Sequence, residues 1–89
     1  MSSMKITYTK RFKKNYKKFS EKDKGIIKKK IKLLSLDLMH PSLRTKKIKG
    51  TDGLFECSVN MDIRIIWTYY NNEIIILLDI GHHDILEKY

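Results

Sequence analysis

Ile63-Arg64-Ile65-Ile66-Trp67-Thr68-Tyr69-Tyr70-Asn71-Asn72-Glu73-Ile74-Ile75-Ile76-Leu77-Leu78-Asp79-Ile80 is the run on which the architecture turns. β-Branched and aromatic side chains fill both halves, and such side chains suit a pleated strand. Asn71-Asn72 between them tolerates the positive φ angles of a tight hairpin. Residues 63–70 and 74–80 therefore read as two antiparallel strands. The second is apolar on both faces over Ile74–Leu78, so it belongs in the interior of a sheet or under a cover. Upstream, Leu54–Val59 alternates and reads as a third strand, entering the hairpin through an Asn60-Met61 turn. Downstream, Gly81 ends the last strand and a short polar tail follows.

Toward the N-terminus the period changes from two to that of a helix. Ile27, Ile31, Leu34 and Leu38 recur at i, i+4, i+7 and i+11, a single apolar stripe whose other faces are lysine. Ser20 can cap this helix, with Asp23 three residues on in a weak capping box. Ahead of it, Phe12, Tyr16 and Phe19 mark a shorter helix that Thr9 can cap. Lys5–Tyr8 alternates and suits a first strand. His40-Pro41 is expected to end the second helix, because a residue before proline is pushed out of the α region. Ser42–Gly53 reads as a basic connection. The predicted order is β-α-α-β-β-β, an α+β fold with a helix hairpin laid on a mainly antiparallel sheet. With no repeat and no linker, residues 1–89 read as one domain.

Composition narrows what such a domain does. A chain of 89 residues buries only roughly 60–65% of its unfolded surface, so the core is thin. The single cysteine, Cys57, excludes an intrachain disulfide and any metal site built from cysteine pairs. It alternates with Phe55 and Val59 and reads as a small buried hydrophobe. The longest apolar run is too short to cross a bilayer, and Met1-Ser2-Ser3-Met4 carries no apolar signal core, so the expected location is the cytosol, with Met4 an alternative start. No metal or organic cofactor is suggested. Charge is sharply divided. Residues 5–50 hold 17 basic residues against three acids (+14), and residues 51–89 hold two against seven (−5). A one-sided basic surface is the footprint of a phosphate-bearing partner.

Three segments carry a resemblance. His40-Pro41-Ser42-Leu43-Arg44-Thr45-Lys46-Lys47-Ile48-Lys49-Gly50 resembles the linker of the RelE/ParE toxin superfamily, especially its RelE/StbE branch. Val59-Asn60-Met61-Asp62-Ile63-Arg64-Ile65-Ile66-Trp67 looks like that family's central hairpin, with its Asp-x-Arg-hydrophobic-hydrophobic-aromatic pattern. Asp79-Ile80-Gly81-His82-His83-Asp84 is similar to its C-terminal Gly-x-His-Asp signature, and Thr7–Phe19 to its first strand and helix. The likeness runs from about Lys5 to Glu87. It implies a cytoplasmic toxin of a type II toxin–antitoxin module, with a cognate antitoxin as partner. RelE-branch members enter the ribosomal A site and cut mRNA, which makes a metal-independent endoribonuclease (an mRNA interferase) the leading expectation. ParE-branch members poison DNA gyrase instead, and a catalytically decayed module that binds RNA or antitoxin is a third alternative. A shared fold does not choose among them.

Cutting RNA without metal requires three things: the 2′-hydroxyl loses its proton, the phosphate's extra charge is stabilised, and the 5′-oxygen gains a proton. Histidine suits the proton steps because its ordinary pKa lies near neutrality. His83 matches the signature histidine and is the expected general acid or base; the structural alternative is a solvated tail residue. Arg64 matches the family's strand arginine, which contacts the scissile phosphate; the alternative is a salt bridge to Glu56 or Asp79. Lys46 and Lys49, with Arg44 and Lys47 beside them as RNA contacts, match the basic loop that holds and activates the message, and only one or two of the four are expected near the reaction centre. Lys13, Lys14, Lys17 and Lys28 on the helix hairpin are expected to face ribosomal RNA. His82 and Tyr89 are further candidates. Relatives carry an aromatic about four residues after the histidine; Glu87 occupies that place here and Tyr89 lies two further on. Asp62 is expected to organise the Asn60–Asp62 turn, Asp84 to orient His83 or cap the tail, and His40 to pair as a cation with a helix end. Trp67, Tyr69, Phe55 and Phe12 are expected in the core.

Overall fold

Thr9 converts the first strand into the first helix. Its backbone N–H donates to the Leu77 carbonyl (3.1 Å) and its hydroxyl to the Leu78 carbonyl (2.8 Å). The same Oγ1 accepts from Phe12 N at 3.1 Å, which caps the helix. The computed structural model describes residues 4–89, so the expected Met1–Ser3 extension lies outside the described residues. In chain order the elements are β1 (Lys5–Tyr8), α1 (Lys10–Tyr16), α2 (Glu21–Leu36), β2 (Lys46–Lys47), β3 (Phe55–Ser58), β4 (Ile63–Tyr70) and β5 (Ile74–His82), with short 3-10 turns at Pro41–Leu43 and His83–Lys88.

The sheet order is β1-β5-β4-β3-β2, with β1 parallel to β5 and every other pair antiparallel. β5 is thus interior, as its two apolar faces require. The β4–β5 turn has φ of 52° at Asn71 and 56° at Asn72, and Glu73 N closes it onto the Tyr70 carbonyl at 3.1 Å. Asparagine tolerates this left-handed region because its short polar side chain bonds locally.

Four boundaries differ from the sequence expectation. α1 stops at Tyr16, and Phe19 lies in the following turn, where its N–H bonds the Tyr16 carbonyl. Ser20 then caps α2 by accepting from Asp23 N. α2 stops at Leu36, four residues before His40, because Asp37 swings to φ −153°. His40 is therefore no dipole partner; its Nδ1 accepts from Ser42 N at 3.1 Å and caps the Pro41–Leu43 turn, so that nitrogen carries no proton. The basic connection contains a fifth strand, β2, in register with β3 at Lys46↔Glu56 and Lys47↔Phe55. β5 continues through Gly81 to His82.

Alternation along the strands gives the sheet two apolar faces. One meets the helices, where Phe12, Ile27, Leu34, Ile65, Trp67 and Leu77 are buried. The other carries a smaller cluster of Ile48, Ile66 and Ile85, packed under the C-terminal turn with Leu86 and Tyr89. Cys57 and Trp67 are fully buried, and Phe55 and Tyr69 pack against them as partly buried core residues. Among the described residues no helix is long and apolar enough to cross a membrane.

Candidate active site

The β3–β4 turn is built by Asn60, whose Oδ1 accepts from both Asp62 N (2.9 Å) and Ile63 N (2.7 Å). This is the job expected of Asp62, and it leaves the Asp62 carboxylate free. That carboxylate reaches the end of β5 instead, because Ile63 pairs with His82 across the sheet. Its Oδ2 lies 2.6 Å from His82 Nδ1 and its Oδ1 3.1 Å from His83 Nδ1. Hydrogen bonds, from His82 foremost and then His83, pull the Asp62 pKa down to about 2. A carboxylate accepting at Nδ1 fixes the proton there and turns Nε2 of each ring outward. Asp84, the expected orienting acid, makes no such bond; Asp62 holds both rings.

Arg64 reaches back to the same turn. Its Nη1 donates to the Asn60 carbonyl at 2.7 Å and to the Ile63 carbonyl at 3.2 Å. The alternative salt bridge to Glu56 or Asp79 does not form, and among the described residues Arg64 has no acidic partner. It is in register with Ser58 on one side and Gly81 on the other. It therefore shares the face of Ile66, opposite the helices. The missing side chain at Gly81 lets the C-terminal turn fold under that face: a Cβ there would stand 3.0 Å from Ile85 Cδ1. Arg64, half-buried, and His83, exposed at the head of the C-terminal turn, thus both lie at the end of the sheet that carries the β3–β4 turn.

The basic loop divides. Lys46 pairs with Glu56, which pairs with Ile66, so it lies on the Arg64 face; Lys47 pairs with Phe55 and lies on the helix side. Lys49 is exposed in the loop beyond β2, and Arg44 ends the Pro41–Leu43 turn. The helix lysines stand apart from this site. Lys13, Lys17 and Lys28 rim a groove of about 350 Å3 floored by Tyr8, Phe12, Tyr16 and Ile31; Lys14 is exposed on α1. Next to His82 a cleft of about 370 Å3 opens between the end of α1 and the C-terminal turn, with Asn15, Lys18, Phe19 and Asp84 in its wall. Arg64 and His83 lie outside that wall.

Tyr89 is held down. Its hydroxyl donates to Asp79 Oδ2 at 2.7 Å, and Asn15 Nδ2 donates to Asp79 Oδ1 at 2.7 Å. Asp79, 2% exposed, clamps the C-terminus to α1. Burial, then the bond to Asp79, pushes the Tyr89 pKa up. In this conformation its phenol is not free to stack on a base.

A five-stranded mixed sheet with a helix hairpin on one face and a histidine-bearing C-terminal turn on the other is the fold shared with solved RelE and YafQ toxins. Residues 4–88 match the family described as bacterial toxin of type II toxin–antitoxin system, YafQ, and the chain belongs to that family. No curated protein sequence matches it. The fold is similar to YafQ from E. coli strain BL21(DE3), with TM-score 0.76 and 17% identity over 93% of this chain and 97% of that one. It is similar to the archaeal RelE–RelB complex from Pyrococcus horikoshii OT3, with TM-score 0.75 and 14% identity over 90% and 94% of the two chains. The E. coli DinJ–YafQ toxin–antitoxin complex gives TM-score 0.74 and 17% identity over 91% and 93%.

Proposed function

We propose that this toxin is a ribosome-dependent mRNA endoribonuclease. One observation carries the reading: a single carboxylate, Asp62, holds His82 and His83, on the turn whose Asn60 carbonyl holds Arg64. With Nδ1–H engaged by Asp62, the outward Nε2 of His83 is the atom that exchanges protons with the message. As an imidazolium it protonates the departing 5′-oxygen, and the nearby carboxylate stabilises that charge. His82, on the same carboxylate, is the neighbouring acceptor for the 2′-hydroxyl proton. Arg64 spends Nη1 on the turn and keeps Nη2 and Nε for the phosphate oxygens that gain charge in the transition state. Lys46, on the same face, holds the incoming strand, and Lys13, Lys14, Lys17 and Lys28 draw the protein to ribosomal RNA.

The relatives crystallised with DinJ and with RelB support a cognate antitoxin as partner here. The groove between α1 and α2 suits it: an apolar floor with three lysines and no acid in its wall fits the apolar face of an acidic amphipathic segment.

Expression of the chain without antitoxin, followed by RNA mapping, tests the function. Growth arrest with cut messages is expected, and His83→Ala should remove both. Arrest with intact messages and inhibited DNA supercoiling would move the protein to the gyrase-poisoning branch.

A further inference from the structure

The β3–β4 turn has a second flank. On it lies a cavity of about 230 Å3, lined by Lys30, Ser42, Arg44, Ser58, Asn60 and Met61 together with Val59. Two basic residues, Lys30 and Arg44, line it, and no acidic residue does. Lys30, half-buried on α2, donates from Nζ to Ser42 Oγ at 3.3 Å. Ser42 Oγ lies 2.9 Å from His40 Nδ1, which already accepts from Ser42 N. The hydroxyl therefore donates to the imidazole and turns its lone pairs to Lys30. Arg44, exposed, also lines the cavity, its backbone at φ 48° with its N–H bonded to the Pro41 carbonyl. Among the described residues neither cation has an acidic partner. Two unneutralised cations in a walled recess focus positive potential and draw an anion.

Asn60 joins this cavity to the candidate active site. Its side chain builds the turn, its carbonyl holds Arg64, and its own atoms line the cavity. A single-stranded polyanion crossing the turn meets cations on both flanks. We propose that Lys30 and Arg44 bind a second backbone phosphate of the RNA strand whose scissile phosphate lies at Arg64 and His83. The proposal rests on the nuclease reading and adds to it a subsite that sets how the strand is held. Phosphate contacts of this kind fix register and carry affinity without reading sequence.

The test uses the full chain and a hexaribonucleotide made uncleavable by 2′-deoxy substitution, with binding followed by fluorescence anisotropy across a salt series. Lys30→Gln, Arg44→Gln and the double variant are compared with Lys22→Gln, an exposed α2 lysine outside the cavity, after thermal melts show all four folded. Each cavity substitution should weaken hexamer binding about fivefold, and the double variant should reduce the salt slope by about 0.7, the value for one lost phosphate contact on a single strand. A dinucleotide, which has only one phosphate, should not distinguish the variants from the parent. On ribosome-bound message, the half-saturating toxin concentration should rise while the saturated cutting rate is kept. Hexamer binding by the double variant equal to that of Lys22→Gln would overturn the subsite while leaving the nuclease intact. Equal losses on dinucleotide and hexamer would overturn it too, by placing both residues at the scissile phosphate. A parent that neither binds nor cuts RNA would remove the nuclease reading and the subsite together.

Discussion

Asp62 illustrates how one exposed carboxylate organises a site through hydrogen bonds rather than burial. Its pKa of about 2 lies below the ordinary value of about 3.9 for an unfolded aspartate. Its contribution to folding is therefore complete above the unfolded value and is lost as pH falls through about 2. A carbon-13 NMR titration of the carboxyl should give that low midpoint, and replacing either histidine by alanine should raise it. Asp62→Asn, which cannot accept from both rings, should lower kcat about a hundredfold, the lower end of what a proton-transfer group contributes, with RNA affinity kept. Cys57 shows the opposite behaviour. Burial is the main force that pushes its pKa up to about 12, so the thiol stays neutral in the fold, and its contribution declines as pH rises past the unfolded value. Thiol reagents at neutral pH should label the denatured chain and leave the native one unmodified; rapid native labelling would contradict the burial. His83 and Arg64 were legible in the sequence as motif residues, and Cys57 as a buried one. The role of Asp62 was not, because it depends on the Ile63↔His82 register, which brings together residues 20 positions apart.

Among the elements, the C-terminal turn is the one on which His83 depends, and it is fastened twice. Gly81 admits Ile85 beneath the sheet, and the Tyr89 hydroxyl bonds the buried Asp79. Gly81→Val would drive branched methyls into Ile85, whose Cβ stands 3.3 Å from the position of an added Cβ, and overpacking of this kind costs about 1–3 kcal/mol. Tyr89→Phe leaves Asp79 short of a donor and should cost about 1–3 kcal/mol. Both variants should melt earlier and exchange the amides of residues 83–88 faster, and the loss of cutting should follow the loss of protection; unchanged exchange would contradict the clamp. The hairpin of β4 and β5 was readable because Asn71-Asn72 and a two-faced apolar strand are strong local signals. β2 was not, since two lysines carry no period and pair only because β3 offers an edge. The end of α2 was placed late because Leu38 keeps the helical spacing and still packs on the core after the chain has left the helix at Asp37.

For the molecule as a whole, the division of charge becomes a division of surfaces. The basic first half forms the helix hairpin and both edge strands, while the acidic half supplies the three inner strands and the turn that holds the catalytic candidates. Positive charge available to a polyanion is therefore spread widely, whereas the candidate proton-transfer groups, His82 and His83, are confined to one end of the sheet. Affinity for ribosomes should fall steeply with added salt, and substitutions at His83 should leave that dependence unchanged. The most direct measurement is primer-extension mapping of a single message translated on purified ribosomes, with parent toxin, His83→Ala and Arg64→Ala. The parent should leave discrete ends bearing a 2′,3′-cyclic phosphate and a 5′-hydroxyl, and each substitution should slow their formation at least about a hundredfold. Full-length message in the presence of active parent toxin, or cutting by His83→Ala at the parental rate, would contradict the assignment.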